Sequence, residues 1–434
     1  MRELDNVIGY EEIKIELKRI IDIIKHPTKY KNLGVTAPKG ILLEGDPGIG
    51  KTLMAQSFIY DSGLKSYVIR KDRPNGEFVD HIRETFNKAA EEAPSIILLD
   101  DLDKFANEDK THLDAEEYVA VQACIDNVKG LDVFVVATSN DRRKLPHSLV
   151  RSGRFDKFFY MQFPGPEDAK KIIEFYLKDK RVGNDIDVEE IARILEGHSC
   201  ADLESVINEA GIYAGYQNKK HIDQEDIKKA FISKIFNGCV SEKSDPISDK
   251  RLAVHEAGHA VISELFYPGQ VAFISVEAKA HGIRGIVRMH EDEHFDEDYN
   301  NNEIDILILL AGKAATELVL NEIDMGAVGD LCCASEQMTR LLDYSAAYDF
   351  YSQSNREETS KRNKDHLDTV RGAELTRCYI KTKQLLGKNR DFLEALIAKI
   401  IEKRTITYKD IAPIREEYCQ LHCSTALDCL SVER

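Results

Sequence analysis

The chain has 434 residues, of which 43% are hydrophobic and 31% charged, and it carries a formal net charge of −17 at pH 7. That length supports two or three domains with cores of their own, and that charge excludes the broad basic surface that nucleic acid or an anionic membrane demands. Nine scattered cysteines and the lack of an N-terminal apolar export segment point to a reducing cytoplasm, and no run of about 18 apolar residues offers a membrane span.

The first strong signal along the chain is GILLEGDPGIGKTLM. Ile41, Leu42 and Leu43 read as a buried strand that runs into a glycine-rich turn, with a helix beginning near Lys51. In the loop of Gly45, Asp46, Pro47, Gly48, Ile49 and Gly50, the three glycines let backbone N–H groups close on phosphate oxygens. Lys51 then neutralises the β/γ charge, Thr52 holds magnesium and Leu53 continues the helix. ATP with Mg2+ is the expected ligand. SIILLDDLD gives another buried strand, Ile96–Leu99, which delivers Asp100 and Asp101 to its C-terminal end, where open parallel sheets bind ligands. Asp100 is placed to reach magnesium through water, and Asp101 to polarise the attacking water. VFVVATSN ends at Asn140, placed to orient that water. LVRSGRFDKF then carries Arg151 and Arg154, candidates for fingers that stabilise phosphoryl-transfer charge on a neighbouring subunit.

Two HExxH patterns follow, and their surroundings separate them. On a helix, residues four apart share a face, so His255 and His259 present two imidazoles to one zinc ion and Glu256 points to the open coordination position. Val254, Ala257, Val261 and Leu265 recur at helical spacing over 252–266, which supplies that helix. The second pattern, His290 to His294, runs into Phe295, Asp296, Glu297, Asp298 and three asparagines without apolar periodicity, and reads as a solvated acidic loop.

The ordered motifs GDPGIGKT, DD, ATSN, RSGRF and HEAGH resemble one family, the FtsH-type AAA+ zinc metalloproteases, over most of the chain. Residues 6–52 are similar to that family's leading segment and P-loop, and HSCADLESVINEAGIYA to its lid helices, with the second sensor at Ala201 and Asp202. KIFNG (234–238) is similar to its glycine hinge, and LLAGKAATELVL (309–320) to a helix of its protease domain. The resemblance also implies the third zinc ligand, Asp330 in MGAVGDLCCASEQ, which the residues alone do not single out among 76 acidic side chains. A carboxylate beside two imidazoles is an acceptable zinc donor set. Cys332 and Cys333 just after it read as small apolar fillers.

Three departures from the family's pattern stand out. The chain begins almost at the ATPase domain, whereas the family is anchored by N-terminal transmembrane helices, so a soluble or trimmed relative is expected. Asp101 stands where the family has a hydrolytic glutamate, and one methylene less shifts the carboxylate by about 1 Å. The interval that holds the family's substrate-gripping pore aromatic is shorter here; Phe78 in RPNGEFVDHIRETF is the candidate, with simple packing as its alternative.

The expected architecture is an α/β P-loop AAA+ domain (1–163) with a helical lid (164–238), a hinge and linker (239–250), a mainly α-helical zinc metalloprotease domain (251–414) and an irregular tail (415–434). The implied activity is ATP-dependent endopeptidase, with Zn2+, ATP and Mg2+ as cofactors, protein substrates, and a homohexameric ring because arginine fingers act across subunits. A chaperone-like remodeller with a weak protease and an ATP-independent peptidase of unfolded chains are the alternatives.

Overall fold

In the computed structural model, residues 3–34, 37–106, 115–151, 153–235, 245–280, 283–289, 299–323, 326–345 and 361–422 are described. Packing divides the chain into two compact units, Met1–Lys180 with Gly197–Asn208, and Arg181–Glu196 with Glu209–Arg434.

In the first unit, helices α1 (Glu11–Lys25) and α2 (Pro27–Lys31) lead to five short strands: β1 (Gly40–Glu44), β2 (Lys65–Ile69), β3 (Ser95–Leu99), β4 (Val133–Ser139) and β5 (Lys157–Tyr160). All pairs are parallel, in the order β2-β3-β4-β1-β5. Helices α3 (Lys51–Ser62), α4 (Asn75–Glu91) and α5 (Ala115–Asn127) lie between successive strands, as a parallel sheet requires of its crossovers. Alternation along the strands feeds two cores. Ile41, Leu43, Ile96, Leu98 and Val136 pack with Met54 and Phe58 of α3, while Leu42, Ile97, Leu99, Val135 and Ala137 pack with Phe78, Ile82 and Phe86 of α4. Such two-sided burial is why these strands read as continuous apolar runs.

Beyond the sheet come α6 (Pro166–Leu177), α7 (Val188–Ile194), α8 (Cys200–Tyr216) and α9 (Gln224–Ile235). Pro166 at the first position of α6 and Asp187, whose carboxylate accepts from the Glu190 N–H, start two of them in the usual way.

The second unit is built around α10 (Pro246–Phe266), with β6 (Val271–Ala280), β7 (Ile283–Met289), α11 (Tyr299–Leu320), α12 (Val328–Ser345), α13 (Lys361–Lys388), α14 (Arg390–Lys403), β8 (Thr405–Thr407) and α15 (Tyr408–His422). The strands form a small antiparallel sheet in the order β7-β6-β8. Residues 253–265 of α10 are all buried, so this helix is the axis of the core, with α11 against it. Gly258 makes that approach possible, since a Cβ there would lie 2.5 Å from the Ala311 carbonyl oxygen. Among the described residues no helix is long and apolar enough to cross a membrane.

Two local expectations are corrected here. Residues 246–250, expected as linker, are the first turns of α10: Asp245 caps it by accepting from the Ile247 N–H, and Pro246 occupies the first helical position. Residues 415–422, expected as irregular tail, continue α15, because Ile411, Ile414 and Tyr418 fall on one face and the Tyr418 ring stacks on Phe392 at 5.5 Å. Phe236 to Gly238 of the hinge and the second HExxH lie outside the described residues.

Candidate nucleotide and metal sites

The glycine-rich turn between β1 and α3 has the backbone its sequence requires. Gly45 and Gly48 take φ values of 151° and 82°, in space where a Cβ would lie 2.2 Å from the Met161 carbonyl oxygen and 2.7 Å from Ser199 Oγ. Ala201, expected at the lid sensor, donates its N–H to the Gly48 carbonyl at 3.1 Å, and Asp202 Oδ2 accepts from Ser199 Oγ at 2.7 Å. The start of α8 is thereby held on the loop. Tyr10 reinforces it from the other direction, its hydroxyl lying 3.1 and 2.8 Å from the carbonyl oxygens of Ile49 and Gln162.

Lys51 Nζ donates at 2.8 Å to the carbonyls of Gly45 and Asp46 and to Asn140 Oδ1. Burial pulls its ammonium below the usual lysine range, against the opposing charges of Asp101, Asp103, Asp46 and Asp100. Thr52 Oγ1 and Thr138 Oγ1 both donate to Asp100 Oδ1 at 2.8 Å. Burial works to raise the Asp100 carboxyl, and these hydroxyls with Arg70 overcome it and hold it below its ordinary value. A hydroxyl and a carboxylate meeting at one point are the hard oxygen donors that magnesium accepts. Asp101 sits in left-handed backbone at φ 57° and pairs with Lys104 at 2.7 Å. Asp103, which the sequence reading passed over, is buried and accepts from both the backbone and side-chain nitrogens of Asn140, at 3.1 and 3.3 Å. Its place as the last aspartate of DDLD was the available signal.

The two arginines part company. Arg151 is exposed, whereas Arg154 is 1% exposed and clamps Asp126 with Nε at 3.1 Å and Nη2 at 2.6 Å. Within this chain Arg154 is therefore a buried partner of Asp126. Phe78 needs a like correction: it lies in α4, 0% exposed, edge-on to Phe105 at 5.1 Å. A pore aromatic must reach solvent, and this one fills the sheet's core. Phe78→Ala should destabilise the unit by about 3–5 kcal/mol, read as a lowered urea midpoint; a midpoint equal to that of the unaltered protein would return Phe78 to the surface.

The candidate metal site is built from α10, α11 and α12. His255 and His259 project from one face of α10, and Asp330 comes from the first turn of α12. His255 Nε2 lies 3.1 Å from His259 Nε2 and 3.1 Å from Asp330 Oδ2, and His259 Nε2 lies 3.7 Å from that oxygen. Tetrahedral zinc with bonds near 2.0–2.1 Å sets its ligand atoms about 3.3 Å apart, so this donor set fits zinc. His259 Nδ1 donates to the Ile308 carbonyl at 2.7 Å, which fixes the tautomer whose Nε2 carries a lone pair that a metal could accept. Burial would raise the Asp330 carboxyl, yet the hydrogen bonds and charges of both histidines hold it far below the usual carboxylate range. Glu256 is buried beside Gly285 of β7, where a Cβ would come within 2.3 Å of Glu256 Oε1. Gly312 of α11 abuts both histidine rings; neither glycine was singled out, since nothing local marks them. Cys332 and Cys333 are exposed on α12, so they are not core fillers.

Residues 41–163 match the ATPase family associated with various cellular activities (AAA), residues 185–229 the AAA+ lid domain and residues 243–414 peptidase family M41. The chain is 30% identical over 447 residues to ATP-dependent zinc metalloprotease FtsH 2 of Petrotoga mobilis, covering 95% of this chain and 70% of that protein. It is 29% identical over 448 residues to ATP-dependent zinc metalloprotease FtsH of Helicobacter felis, with the same two coverages. To ATP-dependent zinc metalloprotease FtsH 4 of Synechocystis sp. it is 30% identical over 446 residues, covering 94% of this chain and 70% of that protein. A P-loop sheet, a lid and a two-histidine, one-aspartate cluster in one polypeptide are thus explained together: the chain belongs to the FtsH family of ATP-dependent zinc metalloproteases.

Proposed function

We propose that this chain is an ATP-dependent endopeptidase in which His255, His259 and Asp330 hold zinc and Glu256 is the general base. The observation that carries the reading is the near-tetrahedral spacing of those three donor atoms, 3.1, 3.1 and 3.7 Å, on a helix that also carries Glu256. Zinc, when bound, supplies Lewis acidity toward a water and the scissile carbonyl. Glu256 takes the proton of the attacking water and passes it to the departing amine nitrogen as the peptide bond breaks. The Ile308 carbonyl holds the His259 ring in place through Nδ1.

In the ATPase unit, Lys51 neutralises phosphate charge, the Gly45–Gly50 loop wraps it, and Thr52 with Asp100 faces magnesium. Asp101 and Asn140 orient the attacking water, Asp103 steadies Asn140, and Ala201 with Asp202 holds the start of α8 on the loop. Arg151, being exposed, is the arginine available to a neighbouring copy, and a nucleotide site that takes such a finger in trans supports a homohexameric ring. Protein substrates follow from the peptidase, and a cytoplasmic setting from the scattered cysteines.

Degradation of a tightly folded fluorescent protein bearing an unstructured tail tests the whole reading, with zinc and magnesium present. Fluorescence should fall only with ATP. Survival of the folded substrate while unfolded casein is cut without ATP would favour an energy-independent peptidase, which the burial of Phe78 makes a real alternative.

A further inference from the structure

The parallel register of the sheet puts a cation on the magnesium side of the nucleotide site. Ile69 at the end of β2 is opposite Leu99 at the end of β3, so the next residues, Arg70 and Asp100, emerge side by side on strands about 4.8 Å apart. The Arg70 guanidinium donates to Asp100 Oδ2, while Oδ1 accepts from Thr52 and Thr138 at 2.8 Å each. The side chain of Asp100 is 2% exposed and that of Arg70 58% exposed. The carboxylate is therefore fixed, and the guanidinium can leave through solvent without unpacking anything. The following residue, Lys71, donates to the buried Glu117 of α5 at 2.9 Å and lies 5.3 Å over the Phe78 ring. That second anchor keeps the backbone at Arg70 beside the site after its side chain has moved.

We propose that Arg70 is a resident counter-cation of Asp100 that the nucleotide's magnesium must displace, so that metal loading of the ATP site is set by competition with a side chain of the same subunit. The proposal rests on reading Thr52 and Asp100 as the magnesium-side groups. Magnesium requires ordered oxygen ligands and water around it, and a guanidinium on Oδ2 both takes an acceptor position and adds like charge to the metal's approach. Arg70 is a positioning residue in this scheme: it controls when Asp100 is available and takes no part in bond breaking.

Binding of a fluorescent N-methylanthraniloyl ATP analogue to the full chain, begun in chelator and titrated with Mg2+, tests this without relying on turnover. Arg70→Ala should lower the Mg2+ concentration for half-maximal signal by about ten-fold, the equivalent of one charge-assisted hydrogen bond. Arg70→Lys, which keeps the charge, should stay within about two-fold of the unaltered chain. Arg70→Gln provides a second neutral variant should the alanine chain fail to fold. An unchanged half-saturation in both neutral variants, with Asp100→Asn raising it, would overturn the role of Arg70 alone. An Asp100→Asn chain with an unchanged half-saturation would overturn the magnesium-side reading itself. Loss of analogue binding by Arg70→Ala already in chelator would also overturn the proposal, since Arg70 would then be holding nucleotide rather than competing with metal.

Discussion

Glu256→Gln should lower peptide hydrolysis by roughly 10²–10⁴-fold, the range that one positioned general base contributes, while zinc content and ATP turnover stay unchanged. The expectation follows from where the side chain sits. The three clustered donor atoms belong to His255, His259 and Asp330, so replacing Glu256 removes none of them. Glutamine has nearly the shape of glutamate, and Glu256 is buried on a helix whose residues from 253 to 265 are all buried, so the packing of α10 is preserved. What is lost is a basic oxygen: an amide cannot take the proton of the attacking water. Cleavage of an unfolded substrate should be measured together with zinc per chain by elemental analysis. Cleavage retained with zinc in place would remove Glu256 from the mechanism; cleavage lost together with zinc would make it a metal-holding residue instead.

What the sequence made legible divides along the distance over which its patterns act. The P-loop and HEAGH are local: strand, turn and helix, or one helical face, contain all of the signal, and Lys51, His255 and His259 could be named from the residues. Asp330 could not. It lies 75 positions from His255 on another helix, brought in by the packing of α10, α11 and α12 around small residues such as Ala311 and Ala315, and only the resemblance to a known family named it.

Phe78 illustrates a different case, where the packing alternative is the one that agrees with its burial. Phe78, Val79, Ile82, Phe86 and Ala89 recur at helical spacing and all are buried, so periodicity favoured the core. The expectation of a pore aromatic came from the family and not from the residues. The beginning of α10 was also legible, in the Asp245–Pro246 pair that caps it. Arg70 was invisible for want of register, since its contact with Asp100 exists only once β2 is paired with β3.

Gly312→Ala should weaken zinc binding on the order of 100-fold or more, beyond the 10–100-fold that loss of a supporting contact around a metal commonly brings. A Cβ at this position of α11 would lie 2.5 Å from His255 Nε2 and 2.5 Å from His259 Nε2, the two nitrogens of the proposed donor set. The nearest neighbours of the added methyl are thus the ligands themselves. His259 cannot turn aside without giving up its 2.7 Å hydrogen bond to the Ile308 carbonyl, on the same helix as Gly312. Gly258→Ala is the instructive partner: its Cβ would meet the Ala311 carbonyl oxygen at 2.5 Å, backbone that must shift, so that change should lower stability whether or not zinc is present. Zinc affinity by competition with a chromogenic chelator, together with thermal unfolding in excess chelator, separates the two. Gly312→Ala should lose affinity and unfold in chelator close to the metal-free parent, whereas Gly258→Ala should unfold earlier in chelator as well. A Gly312→Ala chain that holds zinc as tightly as the parent would mean that the histidine rings do not converge beneath α11, and the metal centre would have to be rebuilt from other atoms.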